Sequence, residues 1–276
     1  MIAAESTSRI VRFVLVILLA LLFMVPIYFT LINSFKPLGE IVTSYTRLPE
    51  SFYLGNFVKA WQRSHFPRAF FNSLTITVFS LIGIIVLSSM AGYMLSRTPG
   101  RLSSLLFLVI IFTILVPFHA YMIPLTVMMT RLRMINSIPG IVIVYWGIGA
   151  NLATFLYHGF VKTIPHELEE SALMDGASIF QIFFRIVFPL LKPITSTLAV
   201  LDGLWLWNDF LLPLLVLQKR SIQTIPLSQF IFFGEYQSEW GLALSGLVLA
   251  MIPVVLFYLF MQRSIVSGIT SGALKG

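Results

Sequence analysis

The chain has 276 residues, of which 58% are hydrophobic and 11% are charged, and it contains no cysteine. Soluble domains carry about a quarter charged residues, so a chain this apolar is expected to fold in a lipid bilayer. The net charge of +7 comes from lysines and arginines that stand singly between apolar stretches, as they do at the ends of membrane spans. No basic block favours nucleic-acid binding, and disulfide and thiolate chemistry are excluded.

Six stretches of the sequence are long and apolar enough for membrane-spanning helices, which need about 20 residues. They lie at approximately 10–32, 69–96, 103–128, 138–160, 194–217 and 241–262. We therefore predict an all-α membrane protein in which residues 1–276 form a single transmembrane domain of six helices. The first stretch is longer than the apolar core of a signal peptide and no small-residue cleavage site follows it, so we expect an uncleaved span.

The charges between these spans do not orient the chain in the membrane. If the N-terminus is inside the cell, nine lysines and arginines lie on each side of the bilayer. The positive-inside rule needs an imbalance between the two sides, so the orientation must come from another signal.

The polar segment at 162–192, between the fourth and fifth spans, is predicted to form two short helices joined by a sharp turn. Pro165 suits a first helical turn, where the helix dipole also favours the carboxylates that follow it. Gly176 is suited to a left-handed helix cap, and Ser178 with Gln181 has the spacing of a capping box that opens the second helix. Pro189 is expected to close that helix. On this pattern alone, an amphipathic linker on the membrane surface is an equal alternative.

The same segment resembles the EAA loop in the permease subunits of binding-protein-dependent ABC importers. That pattern reads Glu-Ala-Ala, three residues, Gly, nine residues, Ile, one residue, Leu-Pro. The residues in register are Glu170, Ser171, Ala172, Gly176, Ile186, Phe188 and Pro189. Ser171 in place of Ala and Phe188 in place of Leu are the two departures, and they preserve a small and a large apolar residue.

Other parts of the chain are similar to the maltose-type carbohydrate branch of these permeases, and most of all to the six-span member of the permease pair. The Trp-Asn-Asp-Phe sequence at 207–210, followed by Pro213, resembles the fifth-span signature of that branch. The tail at 268–276 and the pairs Asn-Phe at 56–57 and Asn-Ser at 72–73 also fit. The resemblance therefore extends over nearly the full length of the chain.

This resemblance implies a mechanism in which the 162–192 segment is a cytoplasmic coupling helix docked on an ATPase subunit. Glu170 would pair with a basic residue there, Ser171 and Ala172 would permit close approach, and Asp175 with Gly176 would make the turn. Both termini would be cytoplasmic, in the inner (plasma) membrane of a bacterium. The implied partners are a second homologous permease, a cytoplasmic ATPase dimer, an extracytoplasmic solute-binding protein and a carbohydrate substrate.

The chain itself is expected to be neither an enzyme nor a cofactor-binding protein. It has no Gly-x-x-x-x-Gly-Lys-Ser/Thr loop, so ATP and Mg²⁺ would be bound by the partner ATPase. The sequence from His166 to Glu170 begins like a zinc-protease motif but lacks the second histidine, and Met174 stands where membrane proteases with paired glutamates carry an arginine. No metal site is therefore predicted, and an intramembrane hydrolase is disfavoured.

Three polar residues in the fifth span are candidates for the translocation path or for bonds within the helix bundle. Asp202 and Asp209 are seven residues apart, which predicts similar faces of one helix. Asp209 is expected to hydrogen-bond with Asn208 beside it. Because intramembrane carboxylates are costly and usually functional, an ion-coupled secondary transporter that uses Asp202 or Asp209 is the alternative function.

Overall fold

The structure, a computed structural model, describes residues 2–233 and 239–273, with side chains for residues 9, 11–233 and 239–260. Every regular element of this described part is helical. The α-helices are α1 (Ile2–Ser34), α2 (Leu38–Ser44), α3 (Gly55–Arg63), α4 (Phe66–Arg97), α5 (Arg101–Leu115), α6 (Phe118–Arg131), α7 (Ile138–Val161), α8 (Glu167–Met174), α9 (Ile179–Ile182), α10 (Phe188–Leu190), α11 (Lys192–Asn208), α12 (Leu211–Val216), α13 (Ile225–Gln229) and α14 (Trp240–Ala273).

Four helical stretches are individually long and apolar enough to cross a membrane, namely Val11–Ser34, Phe66–Arg97, Ile138–Val161 and Trp240–Phe260. They match the predicted first, second, fourth and sixth spans. Two bent helix pairs meet the same criterion only when each pair is counted together, namely Arg101–Leu115 with Phe118–Arg131 and Ile179–Leu190 with Lys192–Asn208. The count reaches six if each pair is one span. The prediction of an all-α membrane protein is therefore confirmed, while the third and fifth spans are not the continuous helices that the sequence predicts.

The predicted third span, 103–128, is broken between α5 and α6, whose axes differ by 104°. Val116 ends α5 with extended backbone angles, φ −82° and ψ 114°, and Pro117 precedes the first residue of α6. A residue before proline is sterically pushed out of the helical region, which gives the physical reason for the break.

The predicted fifth span, 194–217, is also divided. α11 ends at Asn208, and Asp209 is extended with φ −65° and ψ 130°. The Oδ1 atom of Asp209 accepts a hydrogen bond from the backbone N–H of Leu211 at 3.1 Å, a local bond that competes with the helix. Pro213 has no N–H to donate to the carbonyl of Asp209, so helical bonding cannot continue across this point.

The chain divides into two compact units, of which the first comprises residues 1–67 and 228–253. Its polar centre lies where α1 ends. Lys36 is fully buried, and its ammonium donates to Asn33 Oδ1 at 3.0 Å and to the carbonyls of Ser44 and Arg47 at 2.8 and 2.6 Å. These three bonds use all three donors of the lysine and join the end of α1 to the end of α2 and the residues after it.

The second unit comprises residues 68–227 and 254–276, and its core lies between α4, α7 and the helices at 179–216. The largest fully buried side chains in it include Tyr145, Tyr157, Ile84, Met129 and Leu198. α4 and α7 approach closely at Gly92, where an added Cβ would lie 2.7 Å from Tyr157 Cβ and 2.8 Å from the backbone nitrogen of His158. Glycine is needed here because the two helices leave no room for a Cβ atom.

Candidate functional site

The first helix of the 162–192 segment is α8. It begins at Glu167, with His166 as its N-cap residue, so Pro165 precedes the helix instead of lying in its first turn as predicted. Glu167, Glu169 and Glu170 do occupy the first turn, where carboxylates complement the helix dipole.

The sharp turn after α8 has the geometry that the sequence predicts. Asp175 is the C-cap residue, and Gly176 follows it with φ +84°. The N–H of Gly176 donates to the carbonyl of Leu173, and the N–H of Ala177 donates to the carbonyl of Ala172, both at 3.0 Å. This pair of bonds is the Schellman motif, which satisfies the last carbonyls of a helix and fixes the direction of the chain that leaves it.

The second helix opens with the predicted capping box. Ser178 Oγ accepts from the N–H of Gln181, and Gln181 Oε1 accepts from the N–H of Ser178. The helix passes from α9 through a π-helical turn at Phe183–Val187 into α10. Pro189 is followed by one more helical residue, so the helix ends one residue beyond the predicted close. The helix ends after Leu190, and α11 leaves at 73° to it.

The EAA-type residues of α8 differ in their exposure. Glu170 and Ser171 are exposed, as are Asp175 and Gly176 at the turn. Ala172 is half-buried and packs against the core of the second unit. Next to the polar residues, Leu173 and Met174 expose 59% and 87% of their surface. α8 therefore presents a carboxylate, a small side chain and two large apolar side chains on the free surface of this chain.

Glu169 is the one first-turn carboxylate of α8 that is buried, with 9% of its surface exposed. Its Oε1 atom accepts from Arg97 Nε at 2.8 Å and pairs with Arg97 Nη2 at 2.7 Å. Its Oε2 atom accepts from the hydroxyl of Tyr93 at 2.8 Å. Tyr93 and Arg97 come from the C-terminal end of α4, so one carboxylate joins two helices that are distant in sequence.

Arg97 makes two further contacts with the chain that enters α8. Its Nη2 atom donates to the carbonyl of Ile164 at 2.8 Å, and its Nη1 atom lies 3.1 Å from Nε2 of His166. The Arg97 cluster, as we call Tyr93, Arg97, Ile164, His166 and Glu169, was missed from the sequence. Both Arg97 and Glu169 were visible only as an end-of-span charge and a first-turn carboxylate, and no spacing pattern pairs residues this far apart.

Asp209 is not bonded to Asn208, which corrects the prediction from sequence. The hydroxyl of Tyr145 in α7 donates to Asp209 Oδ2 at 2.7 Å. Asn208 is exposed and donates from Nδ2 to the carbonyl of Leu204, one turn back in its own helix. The sequence could not reveal this pairing because Tyr145 is one of many aromatic residues in the apolar spans.

Asp202 lies in α11 and is 5% exposed. Within the described residues, its Oδ2 atom has no hydrogen-bond partner. The predicted common face with Asp209 does not exist, because Asp209 lies beyond the end of α11 and is extended. The two carboxylates therefore have different surroundings and do not form one site.

Several other residues that carry the family resemblance have structural roles. Asn56 donates to the carbonyls of Ser34 and Lys36, and Asn72 donates to those of Ser221 and Gln223.

The side chains of the tail at 268–276 lie outside the described residues. Over the described part of the chain, no group of three or more histidine, aspartate or glutamate side chains is placed to hold a metal ion.

These features define a multi-pass α-helical membrane protein with a structured, surface-exposed segment between its spans, and comparisons with known proteins identify its family. Residues 84–271 match the family described as the binding-protein-dependent transport system inner membrane component, and the chain belongs to that family. The prediction of an ABC importer permease from the 162–192 segment is thereby confirmed, and nothing in the comparisons supports the ion-coupled alternative.

Two curated relatives and one solved structure illustrate the similarity. The probable starch degradation products transport system permease protein AmyC of Thermoanaerobacterium thermosulfurigenes is 43% identical over 94% of each chain. The melibiose/raffinose/stachyose import permease protein MelC of Bacillus subtilis is 34% identical over 99% of each. A chain in the crystal structure of a bacterial ABC transporter that imports the acidic polysaccharide alginate has the same fold, with a TM-score of 0.81, 22% identity and coverage of 94% of this chain and 97% of that one.

Proposed function

We propose that this chain is one of two transmembrane subunits of an ATP-driven importer and that it moves a sugar or oligosaccharide across the bacterial inner membrane by alternating access. Residues 1–276 form the transmembrane domain, both termini are cytoplasmic, and residues 162–192 form the coupling segment. A second homologous permease, a cytoplasmic ATPase dimer and an extracytoplasmic solute-binding protein complete the importer. ATP and Mg²⁺ are bound by the ATPase, and this chain makes and breaks no covalent bond.

The observation that carries the proposal is the form of α8. Its start is fixed by three first-turn carboxylates and its end by the Gly176 turn, while Leu173 and Met174 point large apolar surfaces outward. Exposed apolar side chains beside a charge are typical of a protein interface. A groove on the ATPase would cover Leu173 and Met174, pair a basic side chain with Glu170, and approach closely over Ser171 and Ala172.

A carbohydrate substrate is supported by the relatives, which are permeases for starch degradation products and for melibiose, raffinose and stachyose. Three polar residues of the fifth span remain candidates for the translocation path or the bundle. We assign Asp209 to the bundle, because Tyr145 and the N–H of Leu211 use its oxygens. Asn208 is exposed and available to a second subunit, whereas Asp202 is buried inside this one.

Purification from native membranes in mild detergent tests the assembly. We expect an ATPase with a Walker A motif and a second permease to co-purify with this chain. Uptake of radiolabelled maltotriose, raffinose and melibiose into cells that carry or lack the gene then tests the substrate class. A chain that purifies alone in several detergents, or uptake that continues after ATP depletion and collapses with a protonophore, would contradict the proposal.

A further inference from the structure

We propose that the Arg97 cluster fastens the coupling segment to α4, so that α8 and the C-terminal end of α4 move as one body during the transport cycle. Arg97, Glu169 and Tyr93 are thus positioning residues for coupling, although they touch neither the ATPase nor the sugar. This inference rests on the proposed function of residues 162–192.

The first argument is that the polar atoms of Glu169 and Arg97 bond to other members of the cluster. Both oxygens of Glu169 are hydrogen-bonded, and Arg97 bonds through Nε, Nη1 and Nη2. The side chains of Arg97 and Glu169 expose 10% and 11% of their surface, so little water is available to replace a lost partner. A buried ion pair with its remaining polar atoms satisfied is rigid, and removal of one partner leaves an uncompensated charge.

The second argument is the position of the cluster. α8 follows α7 directly in sequence, so the chain itself connects these helices through residues 162–166. The cluster adds a connection to α4, which is otherwise separated from α8 by about 70 residues of chain. Tyr93 and Arg97 are four residues apart and share one face of α4, where they meet the buried face of α8. The exposed surface of α8 carries Glu170 and Ser171.

The consequence is that two carboxylates next to each other in sequence have different roles. Glu170 is free to contact a partner, and Glu169 holds the helix that presents it. A push on the exposed face of α8 then displaces α4, which is 32 residues long, and not only the loop between α7 and α9. Without the cluster, α8 would retain its helical turns but could tilt independently of α4.

Spin-label distances test this coupling directly, because this chain has no native cysteine to label, and any cysteines of the co-purified subunits are replaced by serine. Met94→Cys in α4 and Leu168→Cys in α8 replace residues that are each 45% exposed and that lie outside the proposed contact with the ATPase. In the full-length chain with its co-purified subunits, we expect one narrow distance distribution that persists when Mg·ATP and vanadate trap the complex. Arg97→Gln or Glu169→Gln should broaden the distribution, whereas Arg101→Gln, an exposed arginine on the next helix, should leave it unchanged.

Transport per ATP hydrolysed provides the functional measurement, with radiolabelled maltotriose and raffinose as the probes. We expect Arg97→Gln to lower this ratio about tenfold, within the range for single residues in a coupling network. The double variant Arg97→Gln/Glu169→Gln should recover part of the loss because neither charge is left unpaired. Arg97→Lys keeps the charge and should retain more of the ratio than Arg97→Gln, and the double variant is the one to measure if Arg97→Gln fails to fold.

An unchanged distance distribution in Arg97→Gln, or in the double variant if that replaces it, would overturn the inference. So would a label separation that changes in the wild type on trapping with vanadate. The distance in the resting chain requires no ATPase, so it distinguishes a failure of the Arg97 cluster from a failure of the proposed function, which co-purification reports separately.

Discussion

The hydroxyl of Tyr145 donates a hydrogen bond to Asp209 at 2.7 Å, and through it α7 is fastened to the break between α11 and α12. Tyr145 is fully buried, and its ring also meets Trp205 edge to face, with 5.5 Å between ring centroids. The Asp209 carboxylate therefore makes two separate structural bonds. Its Oδ2 atom binds another helix, while its Oδ1 atom caps the backbone of its own chain.

Replacement of Tyr145 by Phe should destabilise the fold by about 1–3 kcal/mol, because the half-buried carboxylate of Asp209 loses its hydrogen-bond donor from α7. Thermal unfolding followed by size-exclusion chromatography in detergent measures the loss. Tyr28→Phe is the matched control, since Tyr28 is 42% exposed. Equal melting temperatures for the two variants would show that the Tyr145 bond contributes nothing.

Asp202→Asn should retain sugar uptake. The buried carboxyl group is surrounded by the bundle, and an importer driven by ATP does not need it to carry a proton. Uptake of labelled raffinose in the presence of a protonophore is the measurement. Loss of uptake in Asp202→Asn, combined with sensitivity of the wild type to the protonophore, would instead support ion coupling.

Gly92→Ala should destabilise the contact between α4 and α7 by about 1–3 kcal/mol, the usual result of adding a methyl group to a packed interface. The new Cβ would meet backbone atoms, which cannot move aside as a flexible side chain does. Gly159→Ala provides the control in α7, because nothing lies within 4 Å of its added Cβ. A stable Gly92→Ala variant would mean that the two helices can separate without loss.

Lys36→Met should destabilise the first unit by about 1–3 kcal/mol, because the buried Oδ1 atom of Asn33 loses its donor and two part-buried carbonyls lose a bond. The proper comparison is Lys59→Met, in which an exposed lysine of the same unit is changed. Limited proteolysis of the segment at 35–54, which includes α2, reports the difference, with faster cleavage expected only for Lys36→Met. If both variants resist cleavage equally, the buried lysine does not stabilise this segment.

Gly176→Val and Glu170→Ala should both uncouple ATP hydrolysis from transport while the spans remain folded. A non-glycine residue with a left-handed backbone costs roughly 1–2 kcal/mol, and Gly176 has open space around it, so the effect is one of backbone angle and not of a clash. Glu170→Ala removes the proposed partner of a basic residue on the ATPase. Normal transport in both variants would contradict the assignment of the coupling segment.

The sequence by itself determined the class of protein and the local form of residues 162–192. Span hydropathy, the Gly176 turn and the Ser178 capping box are all readable from neighbouring residues, because the interactions responsible act within a few positions of the chain. Family membership was likewise indicated by a motif whose residues, including Glu170, Ser171 and Ala172, all lie between positions 170 and 189.

Tertiary structure decided which polar residue meets which. Asp209 was assigned to Asn208 beside it, but its partner is Tyr145, 64 positions away. Glu169 and Glu170 are equivalent in sequence, and only the approach of Arg97 from α4 makes one a buried anchor and leaves the other exposed. The broken spans could be predicted only in part. Pro117 and Pro213 mark positions where a helix can end, but they do not set the direction that the chain takes afterwards. That direction depends on packing between helices distant in sequence, which periodicity and motif spacing do not encode.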